Sequence, residues 1–148
     1  MSGHVCDRLP GNVVDLLQKR LTTCVVATTA SDGRPHVAPV NLIVARDDRM
    51  LRLALERDGR TLANLRSNQW VAISILDEGD IAVEIKGEAV IVKEHMNANS
   101  TMAMVDVTVR EVENHAHPII LVSCGVRTRR RSNLVNLFFR VLFCELEE

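Results

Sequence analysis

Apolar residues recur along this chain in two rhythms, and the changes between them mark out its elements. From Leu9 to Leu21, Val13, Leu16, Leu17 and Leu21 return near helical spacing behind the entry turn Pro10-Gly11, which predicts a short helix. Thr22 to Thr29 is rich in Val and Thr and predicts a strand. A second strand is expected from Arg34 to Ala45, joined to the first through the Asp32-Gly33 turn as a hairpin. After the polar turn Arg46-Asp47-Asp48-Arg49, a third strand runs from Met50 to Leu55 and is broken by Glu56-Arg57-Asp58-Gly59. Leu62 and Leu65 lie three apart with no breaker between them, so Arg60 to Ser67 reads as a two-turn helix.

Trp70 to Leu76 reads as a fourth strand. In a long fifth, Asp80 to Val92, Ile81, Val83 and Ile85 alternate with Ala82, Glu84 and Lys86, and Gly87 marks a bulge or a close backbone approach. Lys93 to Thr101 has no clear rhythm. Met104 to Val112 predicts a sixth strand with Val105, Val107 and Val109 on one face, and Pro118 to Gly125 a seventh. Ser132 to Leu146 predicts a closing helix, capped by Ser132 or Asn133, whose apolar stripe is Leu134, Leu137, Phe138, Val141 and Leu142. Short strands in succession with helices mostly at the ends predict a mainly β, antiparallel barrel or sandwich in one domain, residues 1–148. The lack of strand–helix alternation argues against a Rossmann or TIM fold.

Composition narrows the partners more than the fold. A chain of 148 residues buries one core, and a net charge of −1 supplies no global field to recruit nucleic acid or an acidic membrane. Met1 to Asp7 shows no secretory leader, and no apolar run approaches the ~20 residues that cross a bilayer, so a cytoplasmic location is expected. Cys6, Cys24, Cys124 and Cys144 form no C-x-x-C pair, which argues against a zinc ribbon, a thioredoxin-like motif or a disulfide scaffold. Cys24, within Thr23-Cys24-Val25-Val26-Ala27, reads as a small buried hydrophobe.

Several constellations are set aside. His115-Ala116-His117 with Glu113 has metal-like spacing but no distant third ligand, and no metal is expected. The run Arg127 to Arg131 reads as a solvated strand end, with a second anion site or a nucleic-acid patch as sharper alternatives. With no Tyr and three Phe, the stacking platform of single-strand binders is missing. His36 reads as structural, Met96, Met102 and Met104 as gap-filling, and Trp70 as core or interface rather than a cover for a bound ring. No nucleophile elbow, P-loop or Ser-His-Asp arrangement occurs.

A phosphate monoester carries about two negative charges, and a guanidinium, a hydroxyl and free N–H groups at a helix start suit it well. Arg60 and Thr61, following Gly59, provide all three, and the same segment read alone also fits a solvated first turn with an exposed arginine. Four stretches then carry a resemblance in a fixed order: Thr28 to Val40, Arg60-Thr61-Leu62-Ala63-Asn64-Leu65-Arg66, Ser67 to Ile75, and Gly87-Glu88-Ala89. Together they resemble the FMN-binding split-barrel superfamily related to pyridoxamine 5′-phosphate oxidase. The resemblance implies a six- to seven-stranded split β-barrel working as a homodimer with a shared FMN site. By it, Arg60 and Thr61 grip the FMN phosphate, and Asn64 braces the loop or touches the cofactor. Pro39, Val40 and Asn41 lie along the isoalloxazine edge, with Leu55 and Glu56 near the ribityl chain. It implies a flavin-dependent oxidoreductase or electron carrier with a small-molecule redox partner and no catalytic side chain assigned; a non-catalytic flavin, deazaflavin or haem binding or sensing module is the alternative. Pyridoxamine 5′-phosphate oxidase activity itself is not expected, because the C-terminal Arg-containing substrate segment is not recognisable.

Overall fold

The structure is a computed structural model that describes residues 5–148. Residues 1–4, part of the stretch read for a leader, lie outside them. The elements are β1 (Val5–Cys6), α1 (Gly11–Gln18), β2 (Cys24–Thr29), β3 (Pro35–Val40), β4 (Ile43–Ala45), β5 (Met50–Glu56), α2 (Arg60–Ser67), β6 (Trp70–Asp77), β7 (Ile81–Lys93), β8 (Met102–Asn114) and α3 (Asn133–Glu147). Every ladder is antiparallel, in the order β3-β2-β6-β7-β8-β5-β4, and the short β1 pairs with β8.

The β2–β3 hairpin forms as its turn chemistry predicts. Gly33 takes φ +85°, a left-handed conformation that glycine adopts without a Cβ penalty, and Cys24 comes to face Val40. The expected strand from Arg34 to Ala45 is instead two strands, because the chain leaves β2 at Asn41 and crosses to β5. β3 and β4 stand at opposite ends of the sheet order, yet only Asn41 and Leu42 separate them. Three Cα steps reach about 10 Å, so the sheet must curl until its two ends nearly meet there. No ladder joins β3 to β4 among the described residues. The result is a split β-barrel, pinched together at one corner and open along the seam.

Alternate positions of the strands fill the interior: Val26, Leu51, Leu53, Ile73, Ile75, Ile85, Val105 and Val107 are each at most 1% exposed. Val13, Leu16 and Leu17 of α1 join this core. Leu21 does not, because α1 ends at Gln18 and Arg20 turns left-handed at φ +58°. Cys24 is fully buried, and burial pushes its thiol up to about 12. Gly87 sits at a register shift between β7 and β8; a Cβ there would run into the Thr108 carbonyl and stand 2.7 Å from Val107 Cγ1. The glycine is what lets the strands close at this bulge.

Two expectations in the C-terminal third are corrected. Pro118 to Gly125 is not a strand; one isolated bridge, His117 with Ile120, is all that forms. The segment runs instead against the β6–β7 turn, where it finds single partners and not a ladder: Asp80 N–H donates to the Val122 carbonyl, and Val122 N–H to Asp80 Oδ1. In α3, Ser132 takes the N-cap position without a side-chain capping bond. The buried apolar residues of α3 are Leu142, Phe143 and Leu146, whereas Leu134 and Leu137 are exposed. No described helix is long and apolar enough to cross a membrane.

Candidate functional site

The corner where the barrel is pinched lies beside the start of α2, and a cavity of about 440 Å³ opens between them. That volume falls within the range of small-molecule sites. Pro39, Val40 and Asn41 line it from the crossing, Leu55 and Glu56 from the end of β5, and Gly59, Arg60 and Thr61 from the start of α2. Seven residues singled out from the sequence thus share one cavity: Pro39, Val40, Asn41, Leu55, Glu56, Arg60 and Thr61. Asn64 is not among the lining residues. It is buried one turn further along α2 and donates from Nδ2 to Thr28 Oγ1 at 3.0 Å, tying the helix to β2. Of its two expected roles, this is the bracing one.

Local chemistry leaves several donors free. Thr23 donates its hydroxyl to Asn41 Oδ1 at 2.6 Å, so the Asn41 carbonyl oxygen is taken and its NH₂ group is left for a ligand. The first intrahelical bond of α2 runs from Ala63 N–H to the Gly59 carbonyl at 3.3 Å; the amides of Arg60, Thr61 and Leu62 precede it and have no helical partner. A Cβ at position 59 would lie 3.3 Å from the Glu56 carbonyl oxygen, so glycine suits this tight entry. Arg60 has no ion-pair partner among the described residues, in contrast to Arg52 and Arg66, which pair with Asp106 and Glu94. Glu56 borders the same cavity and is likewise unpaired.

Another part of the wall is not foreshadowed by any motif. Phe138 and Phe139 of α3 line the cavity together with Met102, Leu42 and Ala54. The two rings meet edge to face with centroids 5.5 Å apart, and the Arg130 guanidinium lies 3.7 Å from the Phe139 centroid. Phe138 was legible as part of an apolar stripe, but that it meets the crossing about 100 residues earlier in the chain was not. His36 also lines the cavity from β3, whereas Trp70 is half exposed and lies outside it. The basic run is partly absorbed by the fold. Arg127 makes a two-pronged ion pair with buried Asp77, at 2.7 and 3.0 Å. Burial pushes the Asp77 carboxyl up, but Arg127 and the Glu78 N–H outweigh it and hold the group below its usual range.

A second cavity, about 410 Å³, lies under the C-terminal end of α3 between Gln18, Val44, Ala45, Arg46 and Glu147. Its charges are engaged: Arg46 donates to the Leu146 carbonyl, and Glu147 accepts from Arg20. The cavity at the crossing, with free cationic and amide donors, is the candidate site.

The fold agrees with the family that the sequence matches. Residues 9–120 match the pyridoxamine 5′-phosphate oxidase family. The chain belongs to this family. Among curated proteins no sequence matches it. Solved structures of low identity share the fold. A pyridoxamine 5′-phosphate oxidase-like protein of Lactobacillus delbrueckii is 20% identical, with a TM-score of 0.64 over 76% of this chain and 98% of its own. An FMN-binding protein of Syntrophomonas wolfei is 9% identical, with a TM-score of 0.58 over 70% of this chain and 83% of its own. An FAD-binding protein of Mesorhizobium loti is 15% identical, with a TM-score of 0.54 over 73% of this chain and 94% of its own. The family match ends before α3, so the helix bearing Phe138 and Phe139 lies outside it.

Proposed function

We propose that the chain binds FMN in the cavity at the crossing, as a homodimer, and serves as a flavin-dependent oxidoreductase or electron carrier. The observation that supports this reading is the unpaired Arg60 next to Thr61 in the lining of one cavity, at a helix start whose first amides have no helical partner. A dianionic phosphate fits that donor set, since a cation, a hydroxyl and N–H groups converge where no acidic partner has claimed them. Phe138 and Phe139 offer an apolar wall for a ring system, and the Asn41 NH₂ a donor for a ring oxygen. Bound flavin supplies the hydride or one-electron chemistry. The chain's part is to bind, to orient and to exclude water, which accounts for a cavity without a paired acid and base.

The exposed apolar residues Leu134, Leu137 and Val141 of α3, and Ile119, Ile120 and Leu121 before it, support self-association. The test is a visible spectrum and mass spectrum of the purified protein, followed by titration with FMN and a deazaflavin. A colourless protein that shows no change on adding either flavin rejects the reading. Tight binding without reduction by nicotinamide cofactors would favour a storage or sensing role.

A further inference from the structure

At the far end of β7 and β8 from the cavity, the structure supplies the ligand that the His115 motif lacks in sequence. Glu84 of β7 stands directly opposite Glu113 of β8 in the ladder, with both side chains about 28% exposed. Like charges in such a cross-strand pair repel unless a cation lies between them. The His115 ring faces both: its Nε2 lies 3.3 Å from Glu84 Oε2 and 3.8 Å from Glu113 Oε2, and the ligating atoms of all three lie within 4.8 Å of one another. Ligands at about 2.0–2.2 Å from a tetrahedral zinc are about 3.3–3.6 Å apart. The three groups are therefore near the spacing that one such ion requires.

The backbone holds them there. Glu84 and Glu113 sit in a regular stretch of ladder, and the His115 N–H donates to the Ala82 carbonyl at 2.7 Å. Lys86 lies 3.5 Å from Glu84 Oε1 and 3.5 Å from Glu111, so it uses the other Glu84 oxygen and leaves Oε2 to face the histidine. His117 is not part of the set, because its Nδ1 accepts from the Ile119 N–H at 3.2 Å.

We infer that Glu84, Glu113 and His115 form a binding site for a borderline divalent cation, Zn²⁺ by its ligand chemistry, with water in the fourth position. Two carboxylates and one neutral imidazole match the charge and softness of that ion. Bound there, it ties the start of the irregular segment after β8 to β7. This reading is independent of the flavin site.

The test is calorimetric titration of Zn²⁺ into the full chain carrying Cys6→Ser, Cys124→Ser and Cys144→Ser, since those exposed thiols would compete. One equivalent should bind with micromolar affinity. Glu84→Gln, Glu113→Gln and His115→Ala should each weaken it by about tenfold or more, no less than the loss of a group that merely hydrogen-bonds to a metal ligand. His117→Ala should leave it unchanged, and FMN titration of Glu113→Gln should match the parent. Absence of saturable binding, or binding by the three ligand variants as tight as the parent's, overturns the assignment.

Discussion

Two apolar clusters divide the molecule, and they are built by different rules. The inner one fills the barrel with Val, Ile and Leu from alternate strand positions. The outer one lies on the opposite face of β4, β5 and β8. There Val44, Ala54, Met102 and Met104 interleave with the inward residues Ile43, Leu53, Leu55, Ala103 and Val105, and Met96, Leu142, Phe143 and Leu146 cover them. Branched side chains with few rotamers pack the interior, whereas flexible methionines fill the irregular space beneath α3. The candidate site opens at the margin of the outer cluster, where Phe138, Phe139 and Met102 meet the crossing. The ligand cavity thus borders the more adaptable packing rather than the barrel's own core.

The comparison breaks most readily at the centre of the inner cluster. Leu53→Ala, at a position 1% exposed, should cost about 4 kcal/mol in urea unfolding, whereas Met104→Ala in the outer cluster, where flexible neighbours can close over the gap, should cost about 2 kcal/mol. Equal costs would show that the two clusters are equally rigid.

The outer cluster has one strong polar anchor. Glu145 of α3 is 5% exposed and accepts from Lys93 Nζ at 2.9 Å, Asn97 N–H at 3.0 Å and Ala98 N–H at 2.6 Å. Glu145→Ala leaves these donors unmatched and should destabilise the fold by about 2–3 kcal/mol. Burial pushes this carboxyl up, but Lys93 and the two amides hold it below its usual range. A carboxyl whose pKa is lowered by folding contributes stability above its unfolded value, and loses it as pH falls through the folded one. Chemical-denaturation stability across acidic pH should therefore fall below the ordinary Glu range and flatten in Glu145→Gln, with Asp77 and Glu94, both held low by arginine partners, contributing to the slope that remains.

At the site itself, Arg60→Ala should weaken FMN by roughly 10- to 100-fold in a fluorescence titration, as expected for losing charge-assisted bonds. Its effect on unfolding should stay within about 0.5 kcal/mol, because the side chain is exposed and unpaired. Smallest of all on protomer stability is Leu137→Ala, at a position 57% exposed; it should change unfolding by less than about 0.5 kcal/mol while lowering the dimer fraction in light scattering.

The outer cluster also marks where reading the sequence ran out. Helix α2 spans the residues expected of it, and the hairpin, the Gly87 bulge and the inward valines of β8 fall where expected. Each of these depends on neighbours within a few residues. The break at Asn41-Leu42 did not show, because β3 and β4 are both strand and differ only in partner. The stripe of α3 was legible as apolar, but which part of it is buried depends on β4 and β5, some 90 residues away.

Local periodicity and turn chemistry, which act between residues close in sequence, determined most of the strands, the two short helices and the Arg60-Thr61 pair at a helix start. Where the sheet curls back on itself, which half of α3 it covers, and that Glu84 meets His115 were decided only by the tertiary structure. Closing a barrel brings together residues that no local rhythm relates, and the free energy of those contacts exists only once the whole sheet has formed.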